Sequence, residues 1–222
     1  MDPAGSNAAQ PVPVKFQVNI PEEELSRLKR KLEDYELPNE DIIPDAGWSY
    51  GVSLDWVKSL KKYWLEEYDW RKTEGEINQC ALYLLSRILC LNTFRWDNFK
   101  VVIEDVHVHF VHQRSPRPDA IPLLIVHGWP GTFYEFHQII EPLINPPAGK
   151  CAFDVIIPSV PGFGFSSTPR RQGWTVKDTA RIFDKLVTDI LGYKAYMAQG
   201  GDWVSQLAIT GGTMPTALNL LP

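Results

Sequence analysis

Ala198-Gln199-Gly200-Gly201-Asp202-Trp203 is the stretch whose reading decides this chain. An apolar strand meets a new helix there, between small residues, so the backbone turns sharply. Such a turn lifts one side chain clear of the sheet and leaves the next backbone N–H, that of Trp203, beside it. The lifted residue, Asp202, is a carboxylate where other nucleophile turns carry Ser or Cys. A carboxylate suits displacement at an alkyl carbon, which has no carbonyl to form a tetrahedral adduct, and the ester it leaves can be hydrolysed. The competing structural reading makes Asp202 a helix N-cap in an ordinary loop. The order of motifs around it favours the nucleophile.

Working outward, Leu123-Leu124-Ile125-Val126 and Val155-Ile156-Ile157 are short apolar runs, each followed by a turn and a helical stretch. Buried strands alternating with helices predict a parallel sheet covered on both faces. Before them, Val101, Ile103, Val106, Val108 and Phe110 alternate with polar residues, which predicts a hairpin of strands. The earlier part is helical. Pro21 is placed as a first helical residue, with Leu25, Leu28 and Leu32 following until Pro38 ends the pattern. Ser53 caps a second helix striped by Leu54, Val57, Leu60 and Trp64, and Thr73 with Glu76 has the spacing of a capping box for a third. The chain thus divides into a disordered tail over 1–13, a helical region over 14–98, and an α/β part over 99–222.

His127-Gly128-Trp129-Pro130-Gly131 directly follows a buried strand. Gly128 and Gly131 permit a tight turn with backbone close to a ligand, and Pro130 removes a competing donor and is a candidate for a cis bond. Such a turn aims the Trp129 amide N–H into a cavity. The Trp129 and Trp203 amides together would make an oxyanion hole, in which each donor typically contributes about 2.7–4 kcal/mol of transition-state stabilisation. The five histidines, His107, His109, His112, His127 and His137, all precede Asp202. His107 and His109 have metal-like His-x-His spacing, but no third ligand accompanies them, and they are read as a solvated strand face. His127 is assigned to orienting its turn, and His137 to a structural role on the following helix.

Composition narrows the partners. The 222 residues are 44% apolar with a net charge of −5. That supports a sizeable core and offers no basic stripe for nucleic acid or anionic lipid. Cys80, Cys90 and Cys151 are odd in number and form no CxxC pair, so reduced thiols and a cytoplasmic location are expected. No stretch reads as a signal peptide or a membrane span.

Four segments together resemble the microsomal-type epoxide hydrolases, including their fungal relatives, of the α/β hydrolase fold. They are Tyr68-Asp69-Trp70-Arg71-Lys72, His127-Gly128-Trp129-Pro130-Gly131, Pro161-Gly162-Phe163-Gly164-Phe165-Ser166 and Gln199-Gly200-Gly201-Asp202-Trp203. The resemblance implies the amino-terminal half of that α/β fold, a partial and mostly parallel sheet preceded by a helical region. It implies Asp202 as the nucleophile that opens an epoxide to an enzyme ester. Trp129 and Trp203 would hold the oxyanion, and Phe163, Trp129 and Trp203 would border a small apolar epoxide. Similar enzymes use no metal or organic cofactor, and a homo-oligomer is compatible with the family.

Three departures from the family pattern stand out. Cys80 to Leu91 is an apolar run whose only polar residues are Ser86 and Arg87. It is too short for a bilayer, which takes about 20 residues, and is read as an insertion near 80–96 foreign to the fold, such as translated intron sequence. Val204 stands where the family has glycine, a change that could strain the turn by roughly 1–3 kcal/mol. Finally, the family's His base, its acidic partner and the lid tyrosines all follow the nucleophile, whereas here only Leu218 to Pro222 hints at a further strand. The expectation is therefore a truncated chain, poorly soluble alone, that turns over no epoxide. The alternatives are a non-catalytic remnant or binding fragment, and a haloalkane dehalogenase.

Overall fold

The computed structural model describes residues 10–78, 96–202 and, as backbone, 217–219. They form two compact units, one over Val18–Ile77 and one containing the sheet and both flanking parts of the chain. Helix α1 spans Glu22–Asp34, α2 Leu54–Glu66 and α3 Trp70–Asn78.

Local chemistry explains the helical unit. α1 opens with Glu22, Glu23 and Glu24, where the positive end of the helix dipole favours acidic side chains. Pro21 precedes it as N-cap, one position earlier than expected, because its extended ψ of 143° is not yet helical. Ser53 caps α2 by accepting from the Trp56 N–H at 3.3 Å. Lys61 of α2 donates to the Glu33 and Tyr35 carbonyls at 3.3 and 2.6 Å, supplying partners to the last turn of α1. The third helix corrects the sequence reading: it begins at Trp70, with Asp69 Oδ1 accepting from the Arg71 N–H at 2.8 Å, and Thr73 lies inside it. The capping-box spacing misled because Asp69, four residues earlier, already satisfies the first turn. Glu74 then ties the unit together, accepting from the Ile20 N–H at 2.6 Å, Trp70 Nε1 at 3.1 Å and Arg71 Nη1 at 2.6 Å.

The sheet has seven strands: β1 Val14–Lys15, β2 Asn98–Ile103, β3 Val106–Gln113, β4 Ile121–Val126, β5 Phe153–Pro158, β6 Tyr196–Gly200 and β7 Ala217–Asn219. Their spatial order is β1-β2-β3-β5-β4-β6-β7. β1, β2, β3 and β5 pair antiparallel in turn, and β5-β4, β4-β6 and β6-β7 pair parallel. Residues 14 and 15 thus pair with β2 as an edge strand, although they fall in the stretch read as helical. β7 pairs Ala217–Asn219 with Tyr196–Ala198, which places a strand where Leu218 hinted at one.

Helix α4, Ile140–Ile144, lies between β4 and β5, and α5, Val176–Lys185, with a π-helical turn over Leu186–Ile190, links β5 to β6. α5 begins in a capping box between Thr175 and Asp178. Its Ile182, Phe183 and the following Leu186 and Val187 are buried with Val106, Val108 and Phe110 of β3 and Leu124 and Val126 of β4. Because the connection from β5 passes β4 to reach β6, the carboxyl ends of β4 and β6 meet where the strand order reverses. Open α/β sheets place ligands at that point.

The hairpin expectation holds for Val106, Val108 and Phe110, but the polar face needs correction. His107 is exposed as expected, whereas His109 is fully buried. Phe16, Phe133 and Phe165 surround its ring, with centroids at 5.4, 4.8 and 5.2 Å. Strand alternation shows which side chains share a face and not whether remote residues cover it. The insertion read over 80–96 lies outside the described residues except for Trp96. That indole is buried against Phe133, Tyr134 and His137. Among the described residues no helix is long and apolar enough to cross a membrane.

Candidate active site

Three turns leave the carboxyl ends of adjacent strands: 127–132 after β4, 159–167 after β5, and Gly201 and Asp202 after β6. Asp202 sits in the left-handed region with φ 56°. A non-glycine residue held there is strained backbone of the kind that clusters at functional sites.

The β4 turn comes directly against it. The Trp129 N–H donates to Asp202 Oδ2 at 3.0 Å. Gly128 makes the approach possible, since a Cβ at that position would lie 2.7 Å from Asp202 Cβ and 3.0 Å from Oδ2. The requirement for glycine here is imposed by the carboxylate itself. The Trp129–Pro130 peptide is cis.

His127 holds this turn to the next one. Its Nε2 accepts from the Val160 N–H at 3.1 Å, and its Nδ1 lies 3.1 Å from the Gly128 carbonyl. A backbone N–H can only donate and a carbonyl only accept, so Nδ1 carries the proton and the ring is neutral. Burial also lowers its pKa, against the opposing effect of the Gly128 carbonyl. The loop-orienting role read for His127 matches this geometry. His137 lies at the end of a short 3-10 turn, Phe133–Phe136, with Nδ1 2.9 Å from the Tyr134 carbonyl.

Phe163 lies on the turn after β5, its ring 6.4 Å from that of His127 and 37% exposed. Trp129 exposes 68% of its surface. The structure therefore brings Asp202 and the Trp129 amide into contact and sets Phe163 beside the ring that holds the Trp129 turn. Trp203 and Val204 lie outside the described residues. Among the described residues no group of three or more His, Cys, Asp or Glu is arranged to hold a metal ion. His109 instead meets Ser159 Oγ at 2.9 Å and Asn98 Oδ1 at 3.0 Å. Those two partners were missed. Asn98 marks only the start of a strand in sequence, and Ser159 sits among apolar residues with no motif to single it out.

A strand-order reversal with a carboxylate on one turn and a backbone donor from its neighbour places the chain in the α/β hydrolase class. A family model described as alpha/beta hydrolase fold matches residues 121–210. A second, described as Epoxide hydrolase N terminus, matches residues 13–88 and 89–136. The chain belongs to the epoxide hydrolase family. It is 35% identical over 198 residues to epoxide hydrolase 1 of Sus scrofa, covering 86% of this chain and 39% of that protein. Juvenile hormone epoxide hydrolase 1 of Ctenocephalides felis is also 35% identical over 198 residues, with 86% and 38% covered. Among solved structures, juvenile hormone epoxide hydrolase from Bombyx mori superposes with a TM-score of 0.76 at 29% identity, covering 92% of this chain and 50% of that one. Aspergillus niger epoxide hydrolase gives 0.74 at 30%, covering 96% and 52%. The chain spans about two-fifths of the length of these curated relatives.

Proposed function

We propose that these residues carry the nucleophilic half of an epoxide hydrolase acting on small apolar epoxides. The observation that supports this reading is the 3.0 Å bond from the Trp129 N–H to Asp202 Oδ2. The other carboxylate oxygen, Oδ1, is the one that attacks the less hindered oxirane carbon. As that C–O bond forms, the ring C–O bond breaks, and the ring oxygen takes a proton from solvent or from an acid aimed at it. The product is an ester on Asp202, with Oδ2 now its carbonyl oxygen. When water attacks the ester carbon, negative charge develops on Oδ2, already beside its donor. One preorganised donor of this kind contributes about 2.7–4 kcal/mol. Collapse of the adduct releases the vicinal diol and restores the carboxylate.

The second step needs a base near the ester. His127 is unsuited, since both ring nitrogens are engaged and burial keeps it neutral. No histidine follows Asp202 in these 222 residues. The ester is the product of the step that these residues carry, and it is the species the test reads. The exposed aromatic surfaces of Trp129 and Phe163 support an apolar substrate.

Intact mass spectrometry after incubation with styrene oxide tests this directly. One epoxide should add per chain, map to Asp202, and be absent from Asp202→Asn. Addition that persists in Asp202→Asn, or none in the parent chain, would remove the proposal.

A further inference from the structure

We propose that the buried chain Asn98–His109–Ser159 is a positioning device for the oxyanion turn, acting through the turn that follows β5. All three side chains are buried, His109 and Ser159 completely and Asn98 at 4% exposure. Asn98 donates through Nδ2 to the Trp96 carbonyl at 3.4 Å, which directs its Oδ1 to His109 Nε2 at 3.0 Å. His109 Nε2 is therefore the protonated nitrogen, and Nδ1 accepts from the Ser159 hydroxyl at 2.9 Å.

The same strand pins the β5 turn at both ends. The Ser159 N–H donates to the His109 carbonyl at 2.8 Å, and the Ser167 N–H to the His107 carbonyl at 2.9 Å. The Ser166 hydroxyl accepts from the His109 N–H at 2.9 Å and donates to the Ser159 carbonyl at 2.8 Å. Gly164, with φ 53°, leaves room for this arrangement, because a Cβ there would lie 2.7 Å from Ser159 Oγ. Ser159 is thus fixed by side chain, N–H and carbonyl at once.

The next residue delivers that order to the site. The Val160 N–H is the group bonded to His127 Nε2, and His127 grips the Gly128 carbonyl one residue before Trp129. The path runs from Asn98 through His109, Ser159, Val160 and His127 to the N–H that meets Asp202. None of the first three touches the reacting atoms, so they act by position. A buried polar chain with every named partner in place specifies one arrangement of its loops.

The catalytic part of this inference rests on the function proposed above, and its test separates the two. Uniform 15N labelling of histidine in the parent chain should show His127 as a single Nδ1–H tautomer at neutral pH. In Ser159→Ala that pattern should give way to mixed tautomers, and Val160 amide exchange should quicken about tenfold beyond the change in surrounding strand amides. His109→Phe, which fills the aromatic pocket without accepting from Ser159, should do the same. The rate of styrene oxide addition at Asp202 should fall by about 10- to 100-fold in both, the scale of a misplaced reacting group. Restored addition in Ser159→Thr, which keeps the hydroxyl, would support positioning. If Ser159→Ala lowers the unfolding midpoint but leaves the His127 pattern and Val160 exchange as in the parent, the inference is overturned. Should the parent add no epoxide, the proposed function fails while the His127 and Val160 signals still decide this one.

Discussion

Gly128 shows how much a single hydrogen atom can decide. A methyl group at this position would lie 2.7 Å from Asp202 Cβ, closer than real side chains pack, so backbone or carboxylate must shift. Gly128→Ala is therefore expected to cost about 1–3 kcal/mol of stability, as overpacking does. Ester formation at Asp202 should fall further, by about 100-fold, since the carboxylate must move off its donor. Thermal unfolding and intact-mass kinetics on the same preparation would separate the two, and equal losses would argue against it. The sequence announced a close approach at Gly128 but not its partner, because Asp202 lies far along the chain. Asp202 itself was legible as an elbow from its small neighbours. His109 was misjudged, since its burial depends on Phe16, Phe133 and Phe165, none of which lies near it in sequence.

At the scale of elements, the turn between β2 and β3 is pinned by charge. Glu104, with φ 56°, faces Arg181 Nε and Lys185 Nζ of α5, each at 3.0 Å, and Arg171 at 3.2 Å. The Arg181 hydrogen bond, opposed by burial and helped by Lys185, lowers the Glu104 carboxyl from 4.5 to about 2. A depressed carboxylate stabilises the fold fully above its unfolded value and loses that contribution as pH falls through the folded one. Glu104→Gln should therefore lower stability by the order of 1 kcal/mol at pH 7, with the difference from the parent closing between pH 4.5 and about 2. Urea melts at pH 7 and pH 2.5 would show it, and a constant gap would refute it. In the helical unit, Glu74→Ala leaves the Ile20 N–H and Trp70 Nε1 without their acceptor, at a cost of about 1–3 kcal/mol. Loss of helical signal before that of the sheet on heating would localise the effect. Elements were legible where periodicity or a cap marked them, as with Ser53. The start of α3 was not, because two capping signals competed and spacing alone could not rank Asp69 above Thr73.

For the whole molecule, acid is the informative stress. Burial, reinforced by the charge of Lys100, lowers His109 from 6.5 to about 3. Burial and Arg114 lower His112 to about 4. Unfolded histidines take up protons near 6.5 while these folded ones do not, so stability is greatest above that value and falls as pH drops from about 6.5 towards 4. Each contributes a slope of up to about 1.4 kcal/mol per pH unit. Denaturation measured from pH 7 to 4.5 should show it, and His112→Gln should flatten it; a flat parent profile would contradict the assignment. The two rings at the site end of the sheet also share a direction. His109 receives its hydrogen bond from the Ser159 hydroxyl and His127 from the Val160 N–H, so consecutive residues feed both imidazoles. A proton on His127 would set its Nε2–H and the Val160 N–H face to face as two donors, while a proton on His109 would force the Ser159 hydroxyl to turn from donor to acceptor. Acid therefore has a point of entry: the seam at Ser159 and Val160 parts first, and the carboxylate loses its neighbour's support while the strands beneath are still paired.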